Sequence, residues 1–212
     1  MSAKTLLITA GPTREFIDGV RFLSNLSTGT LGVKLASEGL KRGYRTTLIL
    51  GPCDAKPPKG VEVVNVVSAR DMLEAVKARY NKTVLFIAAA AVADFTPQRR
   101  ASGKLKKEGR DSLVLSLVPT VDILAWAGER KKKGQLNVGF ALEARAGLSL
   151  GFEKLRRKSC DLLVHNTLKN FGAGGGQQTI LAPSGVLAEG SFTKPQLAKE
   201  LFDCIEHVGA TS

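Results

Sequence analysis

Cysteine and histidine are scarce in this chain of 212 residues, which has three of the first and two of the second. Cys53, Cys160 and Cys204 are odd in number and lack CxxC spacing, so neither a disulfide framework nor a zinc site is predicted. His165 and His207 are too few and too far apart in sequence to indicate a catalytic triad or a metal cluster. The composition therefore favours reduced thiols in a cytoplasmic protein.

Long apolar runs and a leader segment are also absent. No stretch approaches the roughly 18 uninterrupted apolar residues that a membrane helix needs, so no membrane association is expected. Residues 1–4 lead directly into a strand-like run, which predicts no signal peptide. Hydrophobic residues make up 43% and charged residues 24% of the chain, which predicts a single globular domain over residues 1–212.

Acidic residues are too few to balance the basic ones, at 19 against 31, so the formal net charge is +12. An excess of this size indicates an anionic partner, either a phosphorylated small molecule, a nucleic acid or an anionic lipid. Only 6% of residues are aromatic and none interleaves with the lysine runs, so a nucleic-acid-binding module is the weaker alternative. A small-molecule partner is favoured, with no nucleic acid.

Apolar, β-branched runs alternate with helical patterns along the chain. Strands are predicted over residues 5–10, 46–50, 61–67, 83–89, 113–118, 137–141, 161–165, 179–182 and 186–188. Helices are predicted over residues 29–43, 68–80, 150–158 and 194–208, and from residue 121 onward. Ser68 and Asp71 resemble a capping box, and Thr120 is the predicted N-cap of its helix. This alternation predicts an α/β fold, a Rossmann-like and mostly parallel sheet with helices on both faces and a small β appendage.

The loop over residues 11–28 follows the first predicted strand, at the sheet edge where ligands of such folds bind. It lacks the GxGxxG and GxxxxGK[ST] patterns, which argues against ordinary dinucleotide binding and against a P-loop. Residues 27–29, Ser-Thr-Gly, open the next helix, where they suit an anion or simply cap the helix. Arg21 can clamp a carboxylate or a phosphate, and the amide of Asn25 can donate and accept hydrogen bonds at once.

Five ordered motifs resemble those of the phosphopantothenate–cysteine ligase family, also called phosphopantothenoylcysteine synthetases. The motifs are ITAGPTREFIDGVRFLSNLSTG (8–29), AAAAVADF (88–95), KLKK (104–107), VGFALE (138–143) and KLRRKSCDLLVHN (154–166). They span almost the whole chain, so together they are more specific than any one of them. In bacteria the family's domain often follows a flavin-dependent decarboxylase. Nothing precedes residue 1 here, so only the ligase half is expected, without a flavin.

The resemblance implies a two-step ligation in coenzyme A biosynthesis. The carboxylate of 4′-phosphopantothenate attacks the α-phosphate of a nucleoside triphosphate and releases pyrophosphate. The amine of L-cysteine then attacks the acyl-nucleotide intermediate and forms the amide. CTP is favoured over ATP as co-substrate, Mg²⁺ is expected on the triphosphate, and Asp94 is the candidate metal ligand. The family also implies a homodimer and is compatible with a separate decarboxylase partner.

The same resemblance implies which residues form the site. Asn25 and Lys104 are the catalytic candidates, and Arg21 and Asn25 are the substrate-binding candidates. The nucleotide-binding candidates are Gly11, Ala90, Asp94, Lys104, Val121, Asp122, Ile123, Leu124, Phe140, Lys154 and Lys158.

Physical arguments accompany some of these assignments. Lys104 lies in a basic stretch without apolar periodicity, which predicts a mobile flap over residues 99–110. Lys154 and Lys158 are spaced i and i+4 on one helix face, which is unfavourable unless the two cations share an anion. The glycine-rich residues 172–176 lack strand propensity and are predicted to be flexible. A nicotinamide-dependent reductase of the same fold class remains as an alternative, although the chain lacks its glycine fingerprint and a Tyr-x-x-x-Lys pair.

Overall fold

The computed structural model describes residues 3–109, 111–143, 147–167 and 175–210. The strands in these residues are β1 (Thr5–Ala10), β2 (Arg14–Phe16), β3 (Phe22–Ser24), β4 (Arg45–Leu50), β5 (Glu62–Asn65), β6 (Leu85–Ala88), β7 (Phe95–Pro97), β8 (Leu117–Pro119), β9 (Leu136–Glu143), β10 (Leu162–Thr167), β11 (Gly175–Ala182) and β12 (Gly185–Thr193). The helices are α1 (Thr30–Lys41), α2 (Ala69–Tyr80), α3 (Ile123–Glu129), α4 (Leu148–Arg157) and α5 (Lys194–Ala210). None of these helices is long and apolar enough to cross a membrane.

Eight strands form one sheet in the order β12-β11-β10-β9-β6-β1-β4-β5. Every neighbouring pair from β10 to β5 is parallel, whereas β11 and β12 extend the sheet as antiparallel strands. The chain builds outward from β1 through β4 to β5 and then returns to β6, on the other side of β1. The predicted Rossmann-like sheet is therefore confirmed, and its topological switch point lies between β1 and β6.

Helices cover both faces of the sheet. On one face α1 and α5 pack through Leu35, Leu201 and Phe202 onto strand residues such as Ile8. On the other face α2, α3 and α4 bury their apolar sides against strand residues such as Leu7. Adjacent residues of β1 thus enter opposite cores, which explains why its sequence is continuously apolar rather than alternating.

Helix α2 forms where its sequence signals predict it. The Ser68 hydroxyl accepts a hydrogen bond from the Asp71 N–H at 3.1 Å, and the Asp71 carboxylate accepts one from the Ser68 N–H at 2.9 Å. The predicted capping box is therefore present, and such a cap stabilises a helix by about 0.5–2 kcal/mol. Met72, Val76 and Tyr80 are fully buried, which fixes the inward face of the helix.

Two short antiparallel sheets lie beyond the carboxyl ends of the central strands. Strand β2 pairs with β3, and β7 pairs with β8. The sequence did not predict β2, β3 or β7, and it predicted a longer strand over residues 113–118 in place of β8. Strands of three residues carry too little alternation to be recognised, because tertiary contacts rather than local pattern determine them.

Two other expectations need correction. Thr120 does not cap α3, because its hydroxyl donates to the Ala93 carbonyl, and the cap is instead Asp122. Gly175 and Gly176 begin β11, so the predicted flexible run is wrong at these two positions, while residues 172–174 lie outside the described residues. The predicted β appendage is confirmed, since the hairpin of β11 and β12 is present and extends the main sheet.

Candidate active site

The loops that follow β1 and β6 are joined to each other at the switch point. The Ala91 N–H donates to the Gly11 carbonyl at 2.9 Å, and Pro12 forms an isolated parallel bridge with Ala91. The Thr13 hydroxyl accepts a hydrogen bond from the Ala93 N–H at 3.0 Å. These contacts prolong the pairing of β1 and β6 and hold the two loops side by side at the carboxyl edge of the sheet.

A cavity of about 590 Å³, which we call the main cavity, opens at this edge. It brings together residues that are far apart in sequence, and most of them are predicted site residues. These are Asn25, Ala90, Asp94, Val121, Asp122, Ile123, Leu124, Phe140, Lys154 and Lys158. Thr9, Thr120 and Leu142 also line it, and the sequence did not single them out as site residues.

Asn25 is held against the segment that follows β6. Its Nδ2 donates to the carbonyls of Ala91 and Val92, both at 3.1 Å. The neighbouring Ser24 hydroxyl donates to the Thr13 carbonyl at 2.7 Å, which fixes the approach of the chain. Both amide hydrogens of Asn25 are therefore engaged with the backbone, while its oxygen has no hydrogen bond to the described residues.

The positive charge of the main cavity comes from the end of α4. Lys158 forms an ion pair with Asp122, with Nζ and Oδ2 2.7 Å apart, and Asp122 Oδ1 caps α3 by accepting from the Ala125 N–H at 3.0 Å. Lys154 lies beside them without an ion pair to the described residues. Burial and the nearby Lys158 lower the pKa of Lys154, so its charge is the less well compensated of the two.

Apolar groups form the opposite part of the main cavity. Ala88 at the end of β6 and Ala90 and Ala91 just after it present only methyl groups, so a planar ring can approach the backbone closely. Phe140 and Leu142 of β9 face the same space, and Phe140 is half-buried rather than part of the core. The main cavity therefore has one apolar side and one cationic side, as a nucleotide requires.

The N-terminus of α1 lines a smaller cavity of about 280 Å³ that shares Ala90, Ala91 and Phe140 with the main cavity. No side chain of the described residues caps α1, because its N-cap residue is Gly29 and the Thr28 hydroxyl meets the Thr30 hydroxyl at 2.9 Å. Gly29 has a φ of 72°, a conformation that favours glycine. The first N–H groups of α1 therefore remain available to an anion, as residues 27–29 predict.

Gly11, Arg21 and Lys104 do not line the main cavity. Gly11 has a φ of 76°, and an added Cβ would lie 2.9 Å from the Gly51 carbonyl oxygen, so glycine is needed there for the turn of the chain. Arg21 donates to the Leu105 carbonyl and forms an ion pair with Asp18 at 3.1 Å. Lys104 is exposed next to these contacts.

The segment that carries Lys104 is attached to the first loop. Asp18, whose side chain is fully buried, accepts hydrogen bonds from the N–H groups of Arg21 and Val20 at 2.7 Å and of Leu105 at 3.1 Å. The Arg21 and Val20 N–H groups are the main reason that the pKa of Asp18 is lowered from 3.8 to about 2. The Ala101 N–H also donates a hydrogen bond to the Ile17 carbonyl of the first loop, at 2.9 Å. The predicted mobile flap is therefore attached to the first loop at Ala101 and Leu105, on either side of Lys104.

The donor groups of the described residues limit how a metal ion could be held. They contain no group of three or more His, Cys, Asp or Glu side chains that could hold an ion. Asp94 is exposed in the main cavity and can supply one carboxylate. Mg²⁺ suits such a site, since it needs few protein ligands when phosphates and water complete its shell. His165 is buried in β10 and lines neither of these cavities.

Comparison with known proteins gives a match over nearly the whole chain. Residues 1–208 match the model of the DNA/pantothenate metabolism flavoprotein C-terminal domain. The coenzyme A biosynthesis bifunctional protein CoaBC of Bacillus subtilis (strain 168) is 46% identical over 180 residues, which cover 84% of this chain and 44% of that protein. A cysteine/cysteine sulfinic acid decarboxylase of an unknown prokaryotic organism is 43% identical over 180 residues, which cover 84% of this chain and 50% of that protein. The chain spans about half the length of these curated relatives.

A solved structure is similar over its whole length. The crystal structure of the C-terminal domain of a coenzyme A biosynthesis bifunctional protein CoaBC is 37% identical, with a TM-score of 0.85. The match covers 100% of this chain and 98% of that chain. The matching region is therefore a complete domain in at least one solved protein.

Proposed function

Because the chain belongs to the family of the DNA/pantothenate metabolism flavoprotein C-terminal domain, we propose that it joins 4′-phosphopantothenate to L-cysteine in coenzyme A biosynthesis. In the first half-reaction the phosphopantothenate carboxylate attacks the α-phosphate of a nucleoside triphosphate, and pyrophosphate leaves. In the second, the cysteine amine attacks the resulting acyl-nucleotide, the amide forms and the nucleoside monophosphate leaves. CTP is the favoured co-substrate, with ATP as the alternative.

One observation carries the proposal. The main cavity collects residues from four of the five motifs that resemble the ligase family, although those motifs lie far apart along the chain. Asn25 comes from the first motif, Asp94 from the second, Phe140 from the fourth and Lys154 from the fifth. A reductase or a nucleic-acid-binding module gives no reason for these particular residues to converge on one cavity.

The two sides of the main cavity support nucleotide binding. The methyl groups of Ala88 and Ala90, together with Phe140, suit a base and ribose. Lys154 and Lys158 suit phosphates, because the cost of burying two cations side by side falls when an anion lies between them. The uncapped N-terminus of α1 offers further donors to the same polyphosphate.

Catalysis is assigned to polar and charged side chains that stabilise the negative charge forming on the phosphate and acyl oxygens during the reaction. Lys104, on the tethered flap, moves toward the α-phosphate during the first half-reaction. Arg21 holds the phosphopantothenate. Asn25 positions the acyl-nucleotide for the attack of cysteine, and its contacts with the Ala91 and Val92 carbonyls fix its orientation in the cavity. Preorganised polar groups of this kind contribute about 10²–10³ in rate each.

Mg²⁺ fits this assignment, with Asp94 as its one protein ligand. When bound, the ion would neutralise part of the triphosphate charge and make the α-phosphate more electrophilic. No flavin is assigned to the chain. The curated relatives are about twice as long as this chain. One of them is named a decarboxylase, but this chain covers only 50% of that protein, so the name is not carried over to it. A decarboxylase, if the reaction sequence uses one, is proposed as a partner in the cytoplasm.

Pyrophosphate release tests the proposal. The purified chain is incubated with 4′-phosphopantothenate and Mg²⁺, with CTP or ATP, and pyrophosphate and the cysteine adduct are measured. Release should require phosphopantothenate and one of the two nucleotides, and the adduct should appear only with cysteine. Absence of pyrophosphate with both nucleotides would refute the ligase, and oxidation of a nicotinamide would indicate the reductase instead.

A matched pair of variants tests the site. Lys154→Gln/Lys158→Gln should slow pyrophosphate release by about 10² or more, since it removes both cations of the main cavity. Lys132→Gln/Lys133→Gln removes the same charge from exposed positions and should leave the rate within about twofold. Equal effects of the two pairs would mean that overall charge, and not the main cavity, governs activity.

A further inference from the structure

A second cavity, of about 550 Å³, lies between the start of α2 and the two small sheets. Arg14, Arg70 and Arg100 all line it, and we call it the arginine cavity. It touches the main cavity only through the shared residues Thr120 and Val121. Arg70 and Arg100 lie outside the five family motifs. Arg14 lies in the first motif, but the proposed ligase mechanism gives it no role.

The three arginines have no counter-charge among the residues that the structure describes. Within the described part of the chain, none of their guanidinium groups has a hydrogen bond or an ion pair, whereas Arg42 and Arg79 each pair with carboxylates. Arg14 lies over the Phe22 ring at 4.6 Å, and Arg100 lies over the Phe16 ring at 4.7 Å. Stacking occupies one face of a guanidinium and leaves its N–H edges free, so two of the three groups are oriented without being neutralised.

The acidic residues of the arginine cavity are already engaged. Glu15 is buried, and its Oε1 accepts a hydrogen bond from the Ala69 N–H at 2.8 Å at the start of α2. Glu74 pairs with Lys77 at 2.7 Å. Arg70 lies in the first turn of α2, where the helix dipole disfavours a cation. The arginine cavity therefore has an excess of positive charge that an anionic ligand would compensate.

We propose that the arginine cavity binds a phosphate monoester that carries an apolar group. Three guanidiniums around one space match the terminal oxygens of a dianionic phosphate, which arginine binds in a bidentate manner. Phe16, Leu73 and Pro97 supply apolar walls for the rest of the molecule. This site does not depend on the proposed ligase activity, since it uses different residues.

Phenyl phosphate is a suitable probe, and its binding to the full chain is measured by ligand-observed NMR titration. Arg70→Gln/Arg100→Gln should weaken binding at least about tenfold, because two charge-assisted contacts are lost at exposed positions that the fold does not need. Arg79→Gln, on the same helix but outside the cavity, should bind like the unmodified chain. Lys154→Gln/Lys158→Gln should also leave this binding unchanged.

Several results would overturn the assignment. If Arg70→Gln/Arg100→Gln binds phenyl phosphate as tightly as the unmodified chain, these arginines do not bind the probe. If Lys154→Gln/Lys158→Gln loses phenyl phosphate binding, the probe binds in the main cavity instead. Phenylacetate binding as tightly as phenyl phosphate would contradict the preference for a phosphate dianion. Benzyl alcohol binding as tightly would show that only the apolar walls matter. Absence of pyrophosphate release by the unmodified chain with either nucleotide, while phenyl phosphate still binds, would refute the ligase and leave this site standing.

Discussion

The ion pair between Lys158 and Asp122 places a negative charge inside a cavity that otherwise suits phosphates. Asp122 has two tasks, since one oxygen caps α3 and the other meets Lys158 at 2.7 Å. Burial raises the pKa of Asp122, but the hydrogen bonds from Lys158 and the Ala125 N–H outweigh it and lower the pKa overall. An incoming triphosphate therefore competes with Asp122 for Lys158, whereas it meets Lys154 without a competing carboxylate.

Lys104 is the residue whose assignment depends most on movement. We expect Lys104→Gln to slow acyl-nucleotide formation by about 10² or more, because the variant keeps the length but loses the charge that meets the α-phosphate. Exchange of labelled pyrophosphate into the triphosphate isolates this step. Lys107→Gln removes the same charge three residues away and should exchange at nearly the normal rate. A normal rate of pyrophosphate exchange in Lys104→Gln would show that this lysine has no role in the first half-reaction.

Asn25 should act mainly in the second half-reaction. In Asn25→Asp a carboxylate replaces the amide that donates to two backbone carbonyls, so it is repelled by those oxygens and by the charge that develops on the acyl oxygen. We expect the acyl-nucleotide to form and then accumulate, with turnover reduced by about 10². Mass spectrometry of quenched reactions with cysteine present measures the intermediate.

The comparison variants for this experiment separate a site effect from a charge effect. Asn65→Asp makes the same change on the exposed strand β5 and should turn over normally. Arg21→Gln should weaken the use of phosphopantothenate in both half-reactions and should not accumulate the intermediate. A rate near that of the unmodified chain in Asn25→Asp, without accumulation, would reduce Asn25 to a structural role.

At the scale of elements, the first loop and the flap form one unit. Asp18 gathers three backbone N–H groups from both segments, and the Arg21 guanidinium binds Asp18 and the Leu105 carbonyl together. The two residues thus form a bridge from the loop after β1 to the segment that carries Lys104. This bridge restricts the movement of the flap next to Lys104.

Removing the Asp18 carboxylate should break this bridge between the first loop and the flap. In Asp18→Asn the charge is lost, and we expect amide exchange at Val20 and Leu105 to accelerate at least about tenfold, with the central strands unaffected. Hydrogen exchange measured residue by residue by NMR tests this, with the exposed Asp54→Asn as control. Unchanged exchange at both amides would show that the flap is held by other contacts.

The same carboxylate sets a pH window. Its folded pKa of about 2 lies below the ordinary 3.8, so its stabilising contribution is complete above about pH 4 and disappears as the pH falls through about 2. The unmodified chain should therefore show accelerating exchange at Val20 and Leu105 over this interval, after correction for intrinsic exchange. Asp18→Asn should show no such change.

The sequence predicted the elements that local signals determine, and missed those that distant contacts determine. The capping box of Ser68 and Asp71 is local, and α2 begins where it predicts. Thr120 has a suitable residue type for an N-cap, but its hydroxyl is taken by the Ala93 carbonyl, 27 residues away in sequence. Family motifs contain most of the residues that line the main cavity, whereas Arg70 and Arg100 of the arginine cavity lie outside every motif, and their convergence with Arg14 is visible only in three dimensions.

At the scale of the whole molecule, exposed apolar side chains are concentrated around the two small sheets. Val20 is 60% exposed, Phe22 39%, Phe95 51% and Leu117 40%. Strands β2 and β7 contact each other, so these side chains belong to one region near the carboxyl edge of the main sheet. Apolar groups gathered in this way are typical of a surface that another protein covers.

We expect this surface to form a homodimer, with the substrate site close to the interface because Arg21 lies in the same loop as Val20. Sedimentation at micromolar concentration should give a dimer mass for the unmodified chain. Phe22→Glu/Phe95→Glu should give a monomer with activity reduced about tenfold or more, because an interface core tolerates no unpaired buried charge. Val186→Glu, which changes a 46% exposed valine on β12, should stay dimeric and active. A fully active monomer of the unmodified chain would mean that these aromatic side chains serve another contact.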